Sequence, residues 1–296
     1  MENRAVILIV DDIVSNIQTI ASFLKNDYTL KIALEGKIAL ELAQSDPIPD
    51  LILLDVQMPV MDGYEVLRRL KHDEKTASIP VIFVTANDNV DDEEKGLLMG
   101  AVDYITKPMR SAIVKARVGT HLILKAQKDE LVYIALHDQL TGLFNRYYLD
   151  DEGLRKLSRA KRTKDALSVV MVDIDHFKVV NDKHGHIVGD NIIKAVSKVL
   201  KQNKRTEDFS VRYGGEEFLI LYDGCSAENA KAKAESLRKN IEDLNQDGIK
   251  ITASFGVAEL NAEHETLDAL IKDADEALYR AKESGRNKVV LKGEVL

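Results

Sequence analysis

Cysteine is all but missing from this chain: Cys225 is the only one in 296 residues. No intramolecular disulfide can form, and the usage agrees with a reducing cytosol. Long apolar runs are missing as well. No stretch approaches the ~20 residues that a membrane-spanning helix needs. Met-Glu-Asn-Arg leads straight into a short strand-like run, so the expected location is cytoplasmic, with no membrane partner. Positive charge is in deficit, with 41 Lys and Arg against 49 Asp and Glu and a net charge of -8. Affinity for nucleic acid rests largely on neutralising phosphates, so this balance argues against nucleic acid as a partner. No helix-turn-helix pattern supports a DNA-binding regulator either. The basic cluster Arg155 to Lys164 reads as a solvated helix face.

What is present suits a globular protein: 45% hydrophobic and 30% charged residues in a length that holds about two domains. Residues 1–125 alternate short apolar runs with helical patterns, the signature of an α/β doubly wound parallel sheet. The expected strands are Ala5 to Val10, Thr29 to Ala33, Leu51 to Leu54, Val81 to Val84 and Val102 to Ile105. In such a fold function gathers at the carboxyl ends of the strands, which here carry Asp11 and Asp12, then Asp55, Thr85 and Lys107. Two acids can hold Mg²⁺, a third can attack phosphorus, and an ammonium can neutralise the phosphoryl group that results. Each residue alone has a plainer reading: Asp12 as a helix cap, Asp55 as the start of a turn, Lys107 as a loop charge. All of them at the ends of successive strands outweigh those readings.

From Ser111 to Leu136 there is no proline and only one glycine, Gly119, so one continuous helix is expected to leave the first domain and cross a linker at 126–137. Leu124 and Leu131 are spaced as in a heptad, and Leu122, Ala126, Ile134 and Ala135 extend the stripe. That is too short to separate a coiled coil from a rigid helical spacer, and either is stiff.

The second domain, 138–296, centres on Arg212-Tyr213-Gly214-Gly215-Glu216-Glu217-Phe218. Gly-Gly between two β-rich runs predicts a tight hairpin with two carboxylates at its tip, and glycine lets backbone approach a bulky anion such as a triphosphate. Upstream, Leu167 to Asp173 reads as a buried strand. If it pairs beside the hairpin, Asp173, Glu216 and Glu217 converge, and their mutual repulsion is offset by hard divalent cations. The chemistry implied is metal-assisted phosphoryl or nucleotidyl transfer. The remaining elements are expected to be helices at Tyr147 to Arg162, Asn191 to Lys201, Ala227 to Leu244 and Thr266 to Ser284, with a strand at Lys250 to Ala258 and a last one after it. That order suggests an α+β, ferredoxin-like palm: an antiparallel sheet with helices on one face.

Gly-Gly-Glu-Glu-Phe with Asp-Ile-Asp-His-Phe-Lys upstream resembles the GGDEF family of diguanylate cyclases. Asp138 to Arg146, Asn181-Asp182 through Gly189-Asp190, and Ala281-Lys282 through Asn287 resemble further motifs of that family in the same order. The first domain resembles the (βα)5 receiver of response regulators through Asp55-Val56-Gln57-Met58-Pro59, Met61-Asp62-Gly63 and Lys107-Pro108. The receiver resemblance implies phosphorylation at Asp55 by a sensor histidine kinase, with Asp11 beside it and one Mg²⁺ held by Asp12, Asp55 and the Gln57 carbonyl. It also implies a cis Lys107-Pro108 bond and a switch made by Thr85, Tyr104 and Lys107. The cyclase resemblance implies two Mg²⁺ per site, with Mn²⁺ as a substitute, on Asp173, the Ile174 carbonyl, Glu217 and Glu216, the last as ligand or as base. It implies GTP as substrate, with guanine read by Asn181 and Asp190, a pocket walled by Phe177 and His186, close backbone at Gly214 and Gly215, and triphosphate contacts from Lys178, Lys282 and Arg286. Lys282 and Arg286 would share one helical face if the helix persists. The reaction implied joins two GTP into cyclic di-GMP and releases two pyrophosphates in a homodimer. Arg205 and Asp208 match an RxxD product-inhibition site, with Arg238 as a third member. The competing reading is a non-catalytic receptor that binds cyclic di-GMP at Arg205 and Asp208; intact Asp173, Lys178, Glu216 and Glu217 argue against it.

Overall fold

The computed structural model describes residues 4–86, 90–202, 207–246 and 248–295. It divides into two compact units, Met1–Leu131 and Val132–Leu296.

In the first unit, strands β1 (Val6–Val10), β2 (Thr29–Ala33), β3 (Leu51–Asp55), β4 (Val81–Thr85) and β5 (Asp103–Thr106) alternate with helices α1 (Val14–Leu24), α2 (Gly36–Gln44), α3 (Gly63–His72) and α4 (Val90–Leu98). All pairings are parallel and the order is β2-β1-β3-β4-β5, the doubly wound sheet that the alternation predicted. Successive strand residues point to opposite faces. Leu8, Val10, Ile52, Leu54, Val81 and Phe83 therefore meet α2 and α3 on one side. On the other side Ile7, Ile9, Leu51, Leu53, Ile82 and Val84 meet α1 and the start of α5 (Ser111–Leu136).

Gly63 opens α3 behind the cap Asp62, whose carboxylate accepts from Glu65 N at 2.8 Å. A Cβ at Gly63 would lie 2.3 Å from the Asp55 carbonyl oxygen and 2.9 Å from Val56 Cα, both backbone atoms that cannot rotate away. Gly63→Ala is therefore expected to cost the first unit about 1–3 kcal/mol of stability by urea unfolding.

The second unit contains α6 (Arg146–Tyr148), a π-helical turn at Leu149–Gly153, α7 (Leu154–Thr163), β6 (Leu167–Ile174), α8 (Phe177–His184), α9 (His186–Gln202), β7 (Phe209–Arg212) and β8 (Glu217–Asp223). After these come α10 (Ala227–Glu242), a small pair β9 (Asn245–Gln246) and β10 (Ile249–Lys250), β11 (Ala253–Glu259), α11 (Leu267–Glu283) and β12 (Val289–Leu291). The main sheet has the order β12-β11-β6-β8-β7.

Two features differ from the expected palm. The sheet is mixed, because β12 runs parallel to β11, and helices cover both faces rather than one. The cause is visible in β6, where all eight residues are buried and Val169–Val172 form a continuous apolar run, so the strand needs cover on both sides. Val170, Val172, Phe218 and Ile220 pack under α9 and α10. Val169, Met171, Leu219 and Leu221 pack under α7 and α11.

Candidate functional site

In the first unit the strand ends converge as the sequence suggested. Lys107 Nζ lies 2.9 Å from Asp11 Oδ2 and 3.1 Å from Asp55 Oδ2. Ligand atoms of Asp11, Asp12 and Asp55 all lie within 4.8 Å of one another, the acidic group of that kind among the described residues. Burial raises the Asp55 pKa above its ordinary value, the Lys107 hydrogen bond opposes this, and the Asp11 charge reinforces it. For Lys107, burial would lower the pKa, but hydrogen bonds to Asp11 and Asp55 outweigh it and leave the ammonium held more firmly.

Asp12 Oδ1 is shut away from solvent with no hydrogen-bond partner in the structure. A buried acceptor without a donor is costly, and a hard cation at this oxygen would satisfy it, so the residues fit Mg²⁺. An open cleft of about 510 Å³ beside them is lined by Asp12, Gln57, Thr85 and Tyr64 among others. Sequence reasoning missed Asn16, whose Nδ2 donates to both Asp11 oxygens at 2.9 and 3.0 Å. Tyr104 is half-buried, with the Arg117 guanidinium 5.2 Å from its ring centre. The Lys107-Pro108 bond is cis.

In the second unit β6 and β8 pair antiparallel with Asp173 directly opposite Glu217. Glu217 alternates with Phe218 and Asp173 with Val172, so both carboxylates face α11. From the last turn of α11, Lys282 Nζ reaches Asp173 Oδ2 at 2.8 Å. Burial raises the Asp173 pKa; Lys282 counteracts this, while Glu216 and Glu217 add to it.

The glycine turn is tight: Tyr213 N and Gly214 N donate to Glu217 O at 2.9 and 3.2 Å, and Ile174 N donates to Glu216 O at 3.4 Å. Its brace was not foreseen. Arg212 Nε and Nη2 donate to Gly215 O at 3.1 and 2.9 Å, and Nη1 donates to the Asp138 carboxylate at 3.1 Å. Burial alone would raise the Asp138 pKa, but Thr141 and Arg212 outweigh it and hold that carboxyl below the usual range. Asp173 and Glu217, facing each other with an ammonium on Asp173, suit a divalent ion shared with phosphate oxygens.

Around this pair the assigned residues fall into three groups. Lys178, His186 and Asp190 are exposed, Asp190 beside Gly189 on α9. Asn181 Oδ1 is buried and has no partner, and a Cβ at Gly189 would stand 1.9 Å from it, so only glycine leaves Asn181 its place. Phe177 is buried in the core cluster with Val172, Ile192 and Phe218, and its ring tip lies beside Gly189, 3.1 Å from where a Cβ there would stand.

Other assignments are corrected. α11 stops at Glu283, Gly285 follows at φ 111°, and Arg286 sits in a left-handed turn at φ 61°, so it does not share a helical face with Lys282. Arg205 lies outside the described residues. Asp208 is buried at the Asp223 end of β8, where it accepts from Asp223 N at 3.2 Å and pairs with Lys233 at 3.1 Å. Arg238 is at the other end of the sheet, bound by Glu235, Glu242 and Asn287, whose N–H reaches Asp175 just beyond β6. Among the described residues no hydrogen bond or ion pair joins Arg238 to Asp208; on α10 it is Lys233, five residues earlier, that reaches that carboxylate. The basic face of α7 is also not simply solvated: Lys156 and Arg159 grip buried Asp223 at 2.8 and 2.9 Å.

Comparison with known proteins agrees with this geometry. The family model described as "Diguanylate cyclase, GGDEF domain" matches residues 135–288, and that described as "Response regulator receiver domain" matches residues 7–118. Response regulator PleD of Caulobacter vibrioides is 32% identical over 297 residues, covering 96% of this chain and 65% of that protein. Diguanylate cyclase VdcA of Vibrio cholerae is 34% identical over 235 residues, covering 77% of this chain and 65% of that protein. The chain thus spans 65% of the length of each of these relatives. Among solved structures, the coiled coil and GGDEF domain of DgcB from Caulobacter crescentus in complex with c-di-GMP superposes with a TM-score of 0.55 at 30% identity, covering 62% of this chain and 100% of that one. The active GGEEF domain of a diguanylate cyclase from Vibrio cholerae gives 0.50 at 31% identity, covering 53% of this chain and 100% of that one. Among the described residues no helix is long and apolar enough to cross a membrane. The chain belongs to the diguanylate cyclase GGDEF-domain family, with a response-regulator receiver domain ahead of the cyclase domain.

Proposed function

We propose that this protein is a phosphorylation-regulated diguanylate cyclase that works in the cytoplasm as a homodimer. Residues 1–125 act as receiver, 126–137 as helical linker and 138–296 as cyclase. The observation that carries the reading is the pairing of Asp173 with Glu217 across β6 and β8, beside the braced glycine turn.

Asp173, Glu217 and the Ile174 carbonyl would hold Mg²⁺, with Glu216 as a further ligand or as the base, and the ion when bound neutralises phosphate charge and lowers the pKa of an attacking hydroxyl. Asn181 and Asp190 read guanine, the carboxylate accepting from N1–H and the 2-amino group, a donor pair adenine lacks. Lys178, Lys282 and Arg286 take the triphosphate, and Gly214 and Gly215 let it come close to backbone. Each ribose 3′-oxygen attacks the α-phosphorus of the other GTP, and the bond from that phosphorus to its β-bridging oxygen breaks. Two pyrophosphates leave and both hydroxyl protons pass to base, Glu216 being the candidate. One domain carries one base pocket and one acidic pair, so a twofold product calls for two facing domains.

In the receiver, Asp12, Asp55 and the Gln57 carbonyl would hold Mg²⁺ while Asp55 accepts phosphate from a histidine kinase and Lys107 neutralises it. Thr85 and Tyr104 respond to the new charge, and the population of dimer geometries shifts. Arg205 and Asp208 would bind the product and inhibit synthesis, with Arg238 as a third member once it leaves Glu235 and Glu242.

The test is incubation with GTP and Mg²⁺, with and without beryllofluoride, following pyrophosphate, cyclic dinucleotide and sedimentation together. Synthesis that rises with beryllofluoride alongside dimer content supports the reading. Cyclic di-GMP binding without any pyrophosphate release would instead identify a receptor. Equal rate and equal assembly in both arms would remove the receiver's regulatory role.

A further inference from the structure

Of the three cations assigned to phosphate, Lys178 and Arg286 are exposed and neither is drawn into an ion pair with a carboxylate among the described residues. Lys282 differs. Its ammonium stands 2.8 Å from Asp173 Oδ2, on a side chain that is 30% exposed against 11% for the aspartate. Asp173 faces Glu217 across the ladder, so without a counter-ion two carboxylates would be confronted at close range. Lys282 removes that repulsion from the site the metal would use.

The position is fixed at one end and free at the other. α11 rests closely on the sheet at Gly256, where a Cβ would come 2.1 Å from Ala274 O and 2.1 Å from Leu278 N, so the helix has no room to move toward the strand. The lysine head is carried on a four-carbon stem with many rotamers, a point charge able to change partner. A divalent cation arriving alone at Asp173 must expel this ammonium or remain beside it against direct repulsion. A cation arriving with a triphosphate brings the anion that accepts the ammonium.

We propose that Lys282 is a stand-in cation that couples the two ligands: it pairs with Asp173 before they bind, moves to phosphate when metal and nucleotide enter together, and suppresses metal binding by itself. This rests on Asp173 being a metal ligand, as in the proposed function, and adds an order to how the site fills. Linkage makes the effect reciprocal, so nucleotide tightens metal binding by the same factor that metal tightens nucleotide binding.

The experiment measures Mn²⁺ binding to the full-length chain by electron paramagnetic resonance, with Asp12→Asn present throughout to weaken the receiver site. Titrations are run with no nucleotide and with the α,β-methylene analogue of GTP, which cannot release pyrophosphate. With Lys282 intact, Mn²⁺ alone should bind weakly and the analogue should tighten it, within the range of about 5- to 150-fold usual for such coupling. Lys282→Gln should bind Mn²⁺ alone about tenfold more tightly and lose most of the coupling. Lys282→Arg keeps the charge and should behave like the parent, which separates a charge effect from a folding defect. If Lys282→Gln binds Mn²⁺ alone no better than the parent, while Asp173→Asn removes binding in both titrations, the coupling role is overturned and the metal assignment survives. If Asp173→Asn changes nothing, the proposed cyclase site itself is wrong and this inference falls with it.

Discussion

Asp173→Asn is expected to lower cyclic di-GMP synthesis by about 10³-fold or more, because the charge that would anchor metal at the reacting phosphates is gone. The same change should leave the fold as stable as before or slightly more so. Asp173 is buried opposite Glu217, and burial with the neighbouring carboxylates raises its pKa above the ordinary value of 3.8. An acid whose folded pKa is raised ionises at a cost to the folded state: that cost is absent below 3.8, grows as pH rises toward the folded pKa, and is complete above it. At neutral pH the asparagine is spared this cost, and Lys282, which is partly exposed, can turn to water. Activity and stability should therefore separate, which a structural role for Asp173 would not allow. Pyrophosphate release and thermal melting on one preparation check both halves. More than a tenth of parental activity, or a melt clearly below the parent, would remove Asp173 from the chemistry.

How much of this was legible in the sequence depended on whether a residue's partners were local or strongly periodic. Asp11, Asp12, Asp55, Thr85 and Lys107 could be found because a parallel sheet places every strand's carboxyl end at one edge. Asp173 and Glu217 could be placed together because β6 and the hairpin had clear strand patterns around a Gly-Gly turn.

Asp175 was not legible. It carries the same charge two residues on, yet Thr252 Oγ1 and Ser254 Oγ at 2.7 Å and Asn287 N at 3.0 Å make it a structural tie, and those partners come from distant stretches of the chain. The grip of Lys156 and Arg159 on Asp223 was hidden for the same reason. Arg238 is a different case, because its signal was local: Glu235 and Glu242 stand three residues before and four after it, the spacing of ion pairs along one helix. That pattern pointed to a fastened arginine rather than to one free for a ligand. Arg286 likewise had Ser284-Gly285 before it, a helix-ending pair that put it beyond α11.

Gly256→Ala should destabilise the cyclase domain severely for the addition of a single methyl group. Phe255 and Val257 on either side of it fill the core under α9 and α10, so position 256 faces the other way, onto α11. A Cβ there would lie 2.1 Å from Ala274 O, 2.1 Å from Leu278 N and 2.7 Å from Leu278 Cα. All three are backbone atoms inside a helix, so no rotamer change relieves the clash. Either β11 leaves the register that pairs it with β6, or α11 lifts and opens the contacts of Leu270, Ile271, Ala274 and Leu278 with the sheet. The expected loss is about 3 kcal/mol, at the upper end for overpacking, read as a lower urea midpoint for the cyclase domain. Any protein that does fold should also make less product, because α11 carries Lys282 toward Asp173. Gly119→Ala is the control: a Cβ there meets nothing within 4 Å, and the position lies inside α5, so this exchange should be neutral or add up to about 1 kcal/mol. If both exchanges left the midpoint unchanged, the close seat of α11 on β11 would be wrong, and with it the fixed reach of Lys282 to the acidic pair.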